Sequence, residues 1–426
     1  MLAAQLDCPS ENMPLLASPS PQSSTETDVD AVPGIPDGVE LPRFPQQLVD
    51  VFRRGQTSFW GKVKMVILFF ILFPIRLVFI ILYGLVYCAA ACILGPCLPP
   101  KTKPLPPGLR AFVKFVGMVL GRSILYIYGF LWVKTKGKPD KNVKVLVANH
   151  TSMMDCLYLL FVWSPAFVIA DFISRAPVVK WFTRFQQCVV VNRGKGNNSD
   201  ALKERVTNPE WPPVMIFPEG TTNNGTHLAY FHTGAFVNGC PIQPVVISYP
   251  YWSFDPSWST MHGAFNMLGL LCQVFNQMEI AYLPVYHPSE AERLDPRLYA
   301  RNVRAVIAAY GGRPITDLAY KDKCKYEELA EAYEKAGKSI PQRTPQRRVA
   351  YPTVPADAYN VHMTRFQSGA DRAYLDTDQA AIMATPIPSV TPPTSPSSLQ
   401  SPMGPLGSSA LLGPSPVQPI PLHLDS

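Results

Sequence analysis

A histidine and an aspartate five residues apart, His150 and Asp155 in NHTSMMD, have the types and spacing of a general base and the acid that orients it. The motif follows the apolar run VKVLVA and precedes an apolar segment of helical length. On one continuous helix, residues five apart point about 140° away from each other. The two side chains therefore meet only if His150 lies in the loop and Asp155 in the first helical turn, with Ser152 as N-cap. In that geometry His150 takes a proton from a hydroxyl while Asp155 fixes its tautomer.

The same residues also allow a purely structural interpretation. Ser152 and Asp155 are three residues apart and match a capping box, in which Asp155 only caps the helix. His150 would then be an ordinary hydrogen-bonded loop residue. The motif by itself leaves both interpretations open.

A second candidate is FPEGTTNNG, residues 217–225, which directly follows the strand-like run VMI. Gly220 permits a tight turn that brings backbone N–H groups near a ligand, and Thr221 adds a hydroxyl donor. Glu219 would accept a hydrogen bond from a substrate hydroxyl or anchor the loop. The alternative is an ordinary turn with an exposed glutamate.

The third candidate is VVVNRGKGNNS, residues 189–199, where Arg193 and Lys195 alternate with glycines after a strand-like run. A flexible basic loop suits a phosphate group. The pattern lacks the third glycine of a dinucleotide fingerprint. A solvated basic turn is the competing interpretation.

The elements that would position these motifs follow from the alternation of short β-branched runs with longer amphipathic segments. We predict an α/β fold with a mixed sheet flanked by helices. The predicted strands are 143–149, 166–170, 188–192, 213–218, 243–248 and 279–285. Helices are expected at 152–163 and 199–207, and charged surface helices at 298–310 and 326–336.

The longest apolar run, residues 65–95, predicts a membrane anchor, since its apolar side chains outweigh the single charge of Arg76. Pro74 breaks the run near its first third, and basic residues flank both ends, which favours a re-entrant helical hairpin with both flanks cytoplasmic. A single tilted span and a buried core helix are the alternatives. Residues 111–133 read as an interfacial amphipathic helix or as a packed domain helix.

Composition agrees with a chain of mixed character. Charged residues are 16% of the 426, below the roughly 25% of soluble domains, and Pro is abundant at 45. A uniformly soluble enzyme is thereby disfavoured. The predicted regions are a disordered acidic tail (1–55), a membrane anchor (56–97), a catalytic domain (98–315), a charged helical extension (316–382) and a Pro/Ser-rich disordered tail (383–426).

Taken together and in this order, the three motifs resemble the boxes of the glycerolipid (PlsC-type) acyltransferase family. A fourth box is supplied by Pro241 and Pro244 in CPIQPVVIS. The resemblance covers about residues 100–315, and its first and third boxes are jointly specific, whereas the arginine box is weak. The stretches LFPIRL (72–77), FHTGAF (231–236) and 283–304 are similar to the lysophosphatidylcholine/lysophosphatidylethanolamine acyltransferase branch.

The resemblance implies the glycerolipid acyltransferase fold and an acyl-CoA:lysophospholipid acyltransferase bound to a membrane of the endoplasmic reticulum, its site facing the cytosol. His150 would be the base and Asp155 its orienting acid, with backbone N–H groups near the helix start or the Gly220 turn holding the oxyanion. Substrate-binding residues would be Arg193, Phe217, Pro218, Glu219, Gly220 and Thr221. Acyl-CoA is expected as co-substrate, with no cofactor, no metal and no nucleic acid.

Other functions remain open at this point. The acceptor of the acyl group could instead be glycerol 3-phosphate or lysophosphatidate. A CoA-independent transacylase would carry the same boxes. A non-catalytic membrane adaptor would use the Pro-rich tails to bind SH3- or WW-type partners. The basic residues between Lys101 and Lys144 would attract anionic lipid and the phosphates of CoA, or would only set membrane topology.

Overall fold

A seven-stranded mixed sheet organises the part of the chain that the structure, a computed structural model, describes: residues 42–191 and 199–344. The strands are β1 (Lys134–Lys136), β2 (Val145–Ala148), β3 (Ala166–Ala170), β4 (Val189–Val191), β5 (Val214–Ile216), β6 (Ile242–Ser248) and β7 (Glu279–Tyr282). Their order in the sheet is β1-β7-β6-β2-β5-β3-β4. All neighbouring pairs are parallel except β6 and β7.

Helices cover both faces of this sheet, and the first three of them precede its first strand in the chain. They are α1 (Gln46–Phe52), α2 (Phe59–Leu94), α3 (Pro107–Ile127), α4 (Met153–Trp163), α5 (Asp171–Ser174), α6 (Pro177–Phe185), α7 (Ser199–Thr207), α8 (Gly263–Leu271), α9 (Glu290–Leu294), α10 (Pro296–Gly311) and α11 (Tyr320–Lys335). Short 3-10 turns lie at Gly95–Cys97 and Thr233–Ala235.

The central strand β2 is buried on both sides, and its alternating side chains separate two hydrophobic cores. Val145 and Val147 pack with α7 and α10 on one face. Leu146 and Ala148 pack with α3, α4 and α8 on the other. Burial of both faces is what a continuous apolar run between parallel neighbours implies.

The predicted fold class is confirmed: a mixed sheet flanked by helices. All six predicted strands are present: β3 has the predicted bounds, β6 begins one residue earlier, and the other four are shorter than predicted. The strand that the sequence did not reveal, β1, consists of the exposed residues Lys-Thr-Lys and, among the strands of the described residues, pairs with β7 alone. Polar, exposed edge strands carry no apolar alternation, so periodicity does not detect them.

The predicted tail 1–55 is wrong at its carboxyl end, whereas residues 1–41 lie outside the described residues. Residues 46–52 form α1, whose Leu48, Val49, Val51 and Phe52 are buried. They pack against Tyr326 of α11. The helix is too short to show a period in the sequence, and its stability comes from this tertiary contact.

The predicted hairpin bent at Pro74 is also wrong, because α2 is a single helix of 36 residues with Pro74 inside it. Most of its apolar side chains are exposed. Arg76 points toward the protein and donates to the carbonyls of Leu271 and Gln273, each at 2.7 Å, where α8 ends. Its charge thus compensates the unpaired carbonyls at a helix C-terminus.

Three further helices, α3, α10 and α11, can be compared with the predictions for their segments. In α3, Val113, Gly117, Gly121 and Leu125 are buried while Phe115 is exposed, so the helix packs on the domain and also presents an apolar face. The prediction that 298–310 is a surface helix is wrong: most side chains of α10 are buried in the core. The prediction of a charged surface helix at 326–336 agrees with α11, since most of the charged side chains of this helix are solvent-exposed. The tail 383–426 lies outside the described residues.

Candidate active site

The turn from β2 into α4 brings His150 and Asp155 together. Strand β2 ends at Ala148, and α4 starts at Met153 with Ser152 as N-cap. His150 therefore lies in the loop and Asp155 in the first helical turn. The ring nitrogen Nδ1 of His150 is 2.9 Å from Oδ2 of Asp155. The predicted pairing is present in the geometry that the spacing required.

The carboxylate of Asp155 is fully buried and has more than one role. Oδ2 also accepts hydrogen bonds from the backbone N–H groups of Thr151 and Ser152, at 2.8 and 2.9 Å. Asp155 thus completes a capping box and at the same time holds the imidazole. The catalytic and the capping interpretations of the motif therefore hold together. The capping hydrogen bonds fix the carboxylate, and the carboxylate in turn orients the imidazole ring.

The ring of His150 is held from a second side by Phe217. The two rings are stacked, with centroids 4.0 Å apart and an angle of 15° between their planes. With Nδ1 facing Asp155 and 18% of the side chain exposed, Nε2 is the ring nitrogen available to a substrate. Oriented in this way, a neutral imidazole can accept a proton from a hydroxyl.

Phe217 belongs to the loop after β5, and the buried carboxylate of Glu219 ties that loop to His150. Oε1 of Glu219 accepts from the backbone N–H of His150 at 2.8 Å, and Oε2 accepts from Asn223 Nδ2 at 2.6 Å and Ala229 N at 2.9 Å. Burial raises the pKa of Glu219, and its hydrogen bonds to the His150 and Ala229 amides partly oppose that rise. Of the two roles that the sequence allowed, these contacts are those of an anchor.

The turn at Gly220 forms the exposed part of the same loop. Gly220 has φ +65°, a left-handed conformation that glycine adopts without strain. A side chain there would meet the ring of His232 at 3.1 Å. Pro218 accepts a backbone hydrogen bond from His232, and Thr221 is buried beside the turn. Thus 217–221 are assembled beside His150, as predicted.

Residues 133–248 match the Acyltransferase family. This stretch is an Acyltransferase domain. It contains His150, Asp155 and the Glu219–Gly220 turn, and it ends one residue before Tyr249. The family resemblance predicted from the motifs is confirmed.

Several proteins similar to this chain are named as acyltransferases of lysophospholipids. The chain is 34% identical over 252 residues to a lysophospholipid acyltransferase of Arabidopsis thaliana, covering 51% of this chain and 63% of that protein. It is 32% identical over 291 residues to lysophosphatidylcholine acyltransferase 2 of Homo sapiens, covering 66% and 53%. It is 36% identical over 275 residues to lysophosphatidylcholine acyltransferase 1 of Rattus norvegicus, covering 61% and 51%. The chain thus spans between half and two thirds of these relatives.

Among solved structures, the chain resembles the 1-acyl-sn-glycerophosphate (LPA) acyltransferase PlsC from Thermotoga maritima. The TM-score is 0.40 and the sequence identity is 20%, with 58% of this chain and 98% of that chain covered.

Three polar residues of the site were not found from the sequence. Asn149 bridges to β6 by accepting from Ile247 N at 2.8 Å and donating to Ile247 O at 3.0 Å. Asn223 donates to Glu219 from its side chain and to the carbonyl of His150 from its backbone. Tyr249 donates to Oδ1 of Asp155. Asn149 and Tyr249 could have been found from their positions, since each directly follows the last residue of a strand of the Acyltransferase domain.

Some of the hydrogen-bond donors that were predicted to bind substrate donate to groups of the protein itself. The amides of Thr151 and Ser152 donate to Asp155, and that of Gly220 donates to the carbonyl of Phe217 at 3.0 Å. None of these three N–H groups is thus free for an oxyanion. Two of the lysines expected to attract phosphates, Lys141 and Lys144, donate to backbone carbonyls.

Two further predictions concern the basic loop and a metal ion. Arg193 and Lys195 lie in residues 192–198, outside the described residues. Within 42–191 and 199–344, no group of three or more His, Cys, Asp or Glu side chains is close enough to hold a metal ion. The absence of a metal from the reaction stays a prediction.

Proposed function

We propose that this chain is a membrane-bound acyl-CoA:lysophospholipid O-acyltransferase that transfers a fatty acyl group to the free glycerol hydroxyl of a lysophospholipid. The observation that carries the proposal is the 2.9 Å contact between His150 Nδ1 and Asp155, with the ring partly exposed beside the Gly220 turn. The names of the relatives, lysophospholipid and lysophosphatidylcholine acyltransferases, support the choice of acceptor.

The chemistry follows from the direction of the imidazole. Nε2 of His150 removes the proton of the acceptor hydroxyl as its oxygen attacks the thioester carbonyl of acyl-CoA. The resulting imidazolium is stabilised by the buried carboxylate of Asp155. When the tetrahedral intermediate collapses, the carbon–sulfur bond breaks and the CoA thiolate takes up the proton. The products are a phospholipid and CoA, with no acyl-enzyme, no cofactor and no metal ion required.

The loop from Phe217 to Thr221 is proposed as part of the substrate site. Gly220 is exposed next to His232, and the stacked ring of Phe217 closes one side of the imidazole. Pro218 and Glu219 are buried and would act by holding this loop in place. Arg193 is proposed to bind the phosphate of the acceptor, on the basis of the motif alone.

Attachment to the membrane is proposed to occur through α2. This helix is long and apolar enough to cross a bilayer, and none of its most apolar window is buried. Yet it contacts the domain at Arg76, which reaches the end of α8, and at Tyr87, which packs against Phe185, while Gly95, the residue after the helix, lies close to Trp181. A helix that crosses a bilayer extends into the membrane, so most of its length could not stay in contact with a domain outside the bilayer. We therefore propose that α2 lies in one leaflet, with both flanks on the cytosolic side of the endoplasmic reticulum.

The proposed activity is tested with the full chain in lipid vesicles, labelled acyl-CoA and a panel of acceptors: lysophosphatidylcholine, lysophosphatidylethanolamine, lysophosphatidate and glycerol 3-phosphate. We expect labelled phospholipid from the first two, and a loss of at least about 100-fold in His150→Ala. His262→Ala, which removes an exposed histidine outside the site, is the matched control. Full transfer by His150→Ala would disprove the base assignment.

Other outcomes point to the alternatives. Preference for lysophosphatidate or glycerol 3-phosphate would correct the acceptor, and transfer from phospholipid without CoA would indicate a transacylase. No transfer to any acceptor would favour an adaptor whose Pro-rich residues 383–426 bind SH3- or WW-type domains. Protease cleavage of both flanks of α2 from the same side of sealed vesicles is expected, whereas flanks protected on opposite sides would show a span.

A further inference from the structure

The residue that follows β6, Tyr249, is outside every predicted motif, yet it reaches the buried acid of the site. Strands β2 and β6 are parallel neighbours, with Ala148 opposite Val245. Their carboxyl ends therefore lie at the same edge of the sheet, with β6 extending three residues farther. The hydroxyl of Tyr249 donates a hydrogen bond to Oδ1 of Asp155, 94 residues earlier in the chain.

The two carboxylate oxygens of Asp155 have different partners. Oδ2 accepts three hydrogen bonds, from His150 Nδ1 and from the amides of Thr151 and Ser152. Oδ1 accepts from Tyr249. Because the carboxylate is fully buried, water cannot replace a missing partner at Oδ1. Together with the two capping amides at Oδ2, the tyrosine thus fixes the rotation of the carboxylate that presents Oδ2 to the imidazole.

The hydroxyl of Tyr249 is held as a donor by its surroundings. Burial and the neighbouring carboxylate of Asp155 raise the pKa of Tyr249 well above its ordinary value. The titratable groups around this pair are Cys156 next to Asp155, His150 on its other oxygen, and Glu219 at the backbone of His150. The ring packs edge-on against Phe130 at 6.1 Å, which restricts its motion.

We propose that Tyr249 is a positioning residue for acyl transfer, which orients Asp155 and takes up part of the negative charge that would otherwise bear on His150 and the two capping amides. This inference rests on the proposed function. Without the tyrosine hydroxyl, the carboxylate charge is concentrated on the oxygen that faces the imidazole. A more strongly held imidazolium returns its proton less readily and loses it only at higher pH.

Tyr249→Phe tests this role, with Tyr282→Phe as the matched control. Tyr282 is buried in the same core, and its hydroxyl contacts that of Tyr158 and not Asp155. For Tyr249→Phe in vesicles we expect kcat to fall roughly 10- to 100-fold, the loss typical of one hydrogen bond to a charged group. KM for both substrates should stay within about twofold, and the acid limb of the kcat/KM profile should move at least about 0.5 unit to higher pH. Tyr282→Phe should leave the profile in place.

A second readout needs no activity. The ring titration of His150 is followed by NMR in histidine-labelled protein, with His150→Ala to assign the signal. We expect a higher titration midpoint in Tyr249→Phe than in the unaltered chain. An unshifted midpoint and profile overturn the inference, even if activity falls, because the tyrosine would then be merely structural. Absence of transfer by the unaltered chain would count against the proposed function, while the NMR shift still decides the role of Tyr249.

Discussion

The carboxylate of Glu219 accepts a hydrogen bond from the backbone nitrogen of His150 at 2.8 Å. The same histidine returns a contact to the loop, since its carbonyl accepts from the backbone N–H of Asn223 at 3.3 Å. The main chain of the proposed base is therefore clamped on both sides by the loop after β5. A buried glutamate in this position supports the imidazole through the backbone.

Glu219→Gln should therefore lower both stability and kcat. The carboxylate accepts three N–H groups, and an amide must turn its NH₂ toward at least one of them, which costs about 1–3 kcal/mol for a buried donor left unpaired. We expect a lower Tm and a reduced kcat with KM for lysophospholipid little changed. Glu210→Gln, at an exposed position, is the control. A large rise in KM without loss of Tm would instead make Glu219 a direct substrate ligand.

Gly220→Ala tests the conformation of the exposed turn. With φ at +65°, a Cβ is expected to cost about 1–2 kcal/mol, and it would press on the ring of His232. We expect Tm to fall by a few degrees and kcat/KM for the acceptor to fall more than tenfold. Gly234→Ala is the matched control, because a Cβ there meets nothing within 4 Å. Equal behaviour of the two variants would show that the turn does not need glycine.

Arg76→Leu should destabilise the protein although it makes α2 more apolar. The guanidinium donates to carbonyls at the end of α8, including that of Leu271, and these would lose a charged partner worth roughly 1.5–3 kcal/mol. We expect a lower Tm in detergent micelles. Lys64→Leu, which removes an exposed charge from the same helix, should leave Tm nearly unchanged. A higher Tm for Arg76→Leu would show that membrane insertion outweighs the contact with α8.

Lys323→Met tests whether α11 supports the site from outside the Acyltransferase domain. The buried ammonium of Lys323 donates to the carbonyl and hydroxyl of Thr222, both at 3.2 Å, in the loop that carries Gly220. We expect a several-fold loss of kcat/KM and a Tm reduced by a few degrees, as for a lost buried hydrogen bond to a charge. Lys321→Met, exposed on the same helix, is the control. Matching results for the two would leave α11 without a role in the site.

The fold and the reacting residues could be predicted from local patterns. Six strands were visible as short β-branched runs, and the His150–Asp155 contact followed from a strand end, an N-cap and a spacing of five. Elements without a local signal were missed or misjudged. Strand β1 is polar, α1 is only seven residues long, and α10 combines buried side chains with a charged sequence. Their burial depends on distant partners that periodicity does not name.

The sequence by itself determined which residues can react and which turns hold them, because an imidazole, a capping carboxylate and a glycine turn are set by neighbours within a few positions. Only the tertiary structure decided that β5, β2 and β6 are adjacent. That adjacency brings Glu219 to the backbone of His150 and Tyr249 to the carboxylate of Asp155, across 69 and 94 residues of chain. Strand order is selected by the summed burial of both sheet faces, a property of the whole chain and of no single segment.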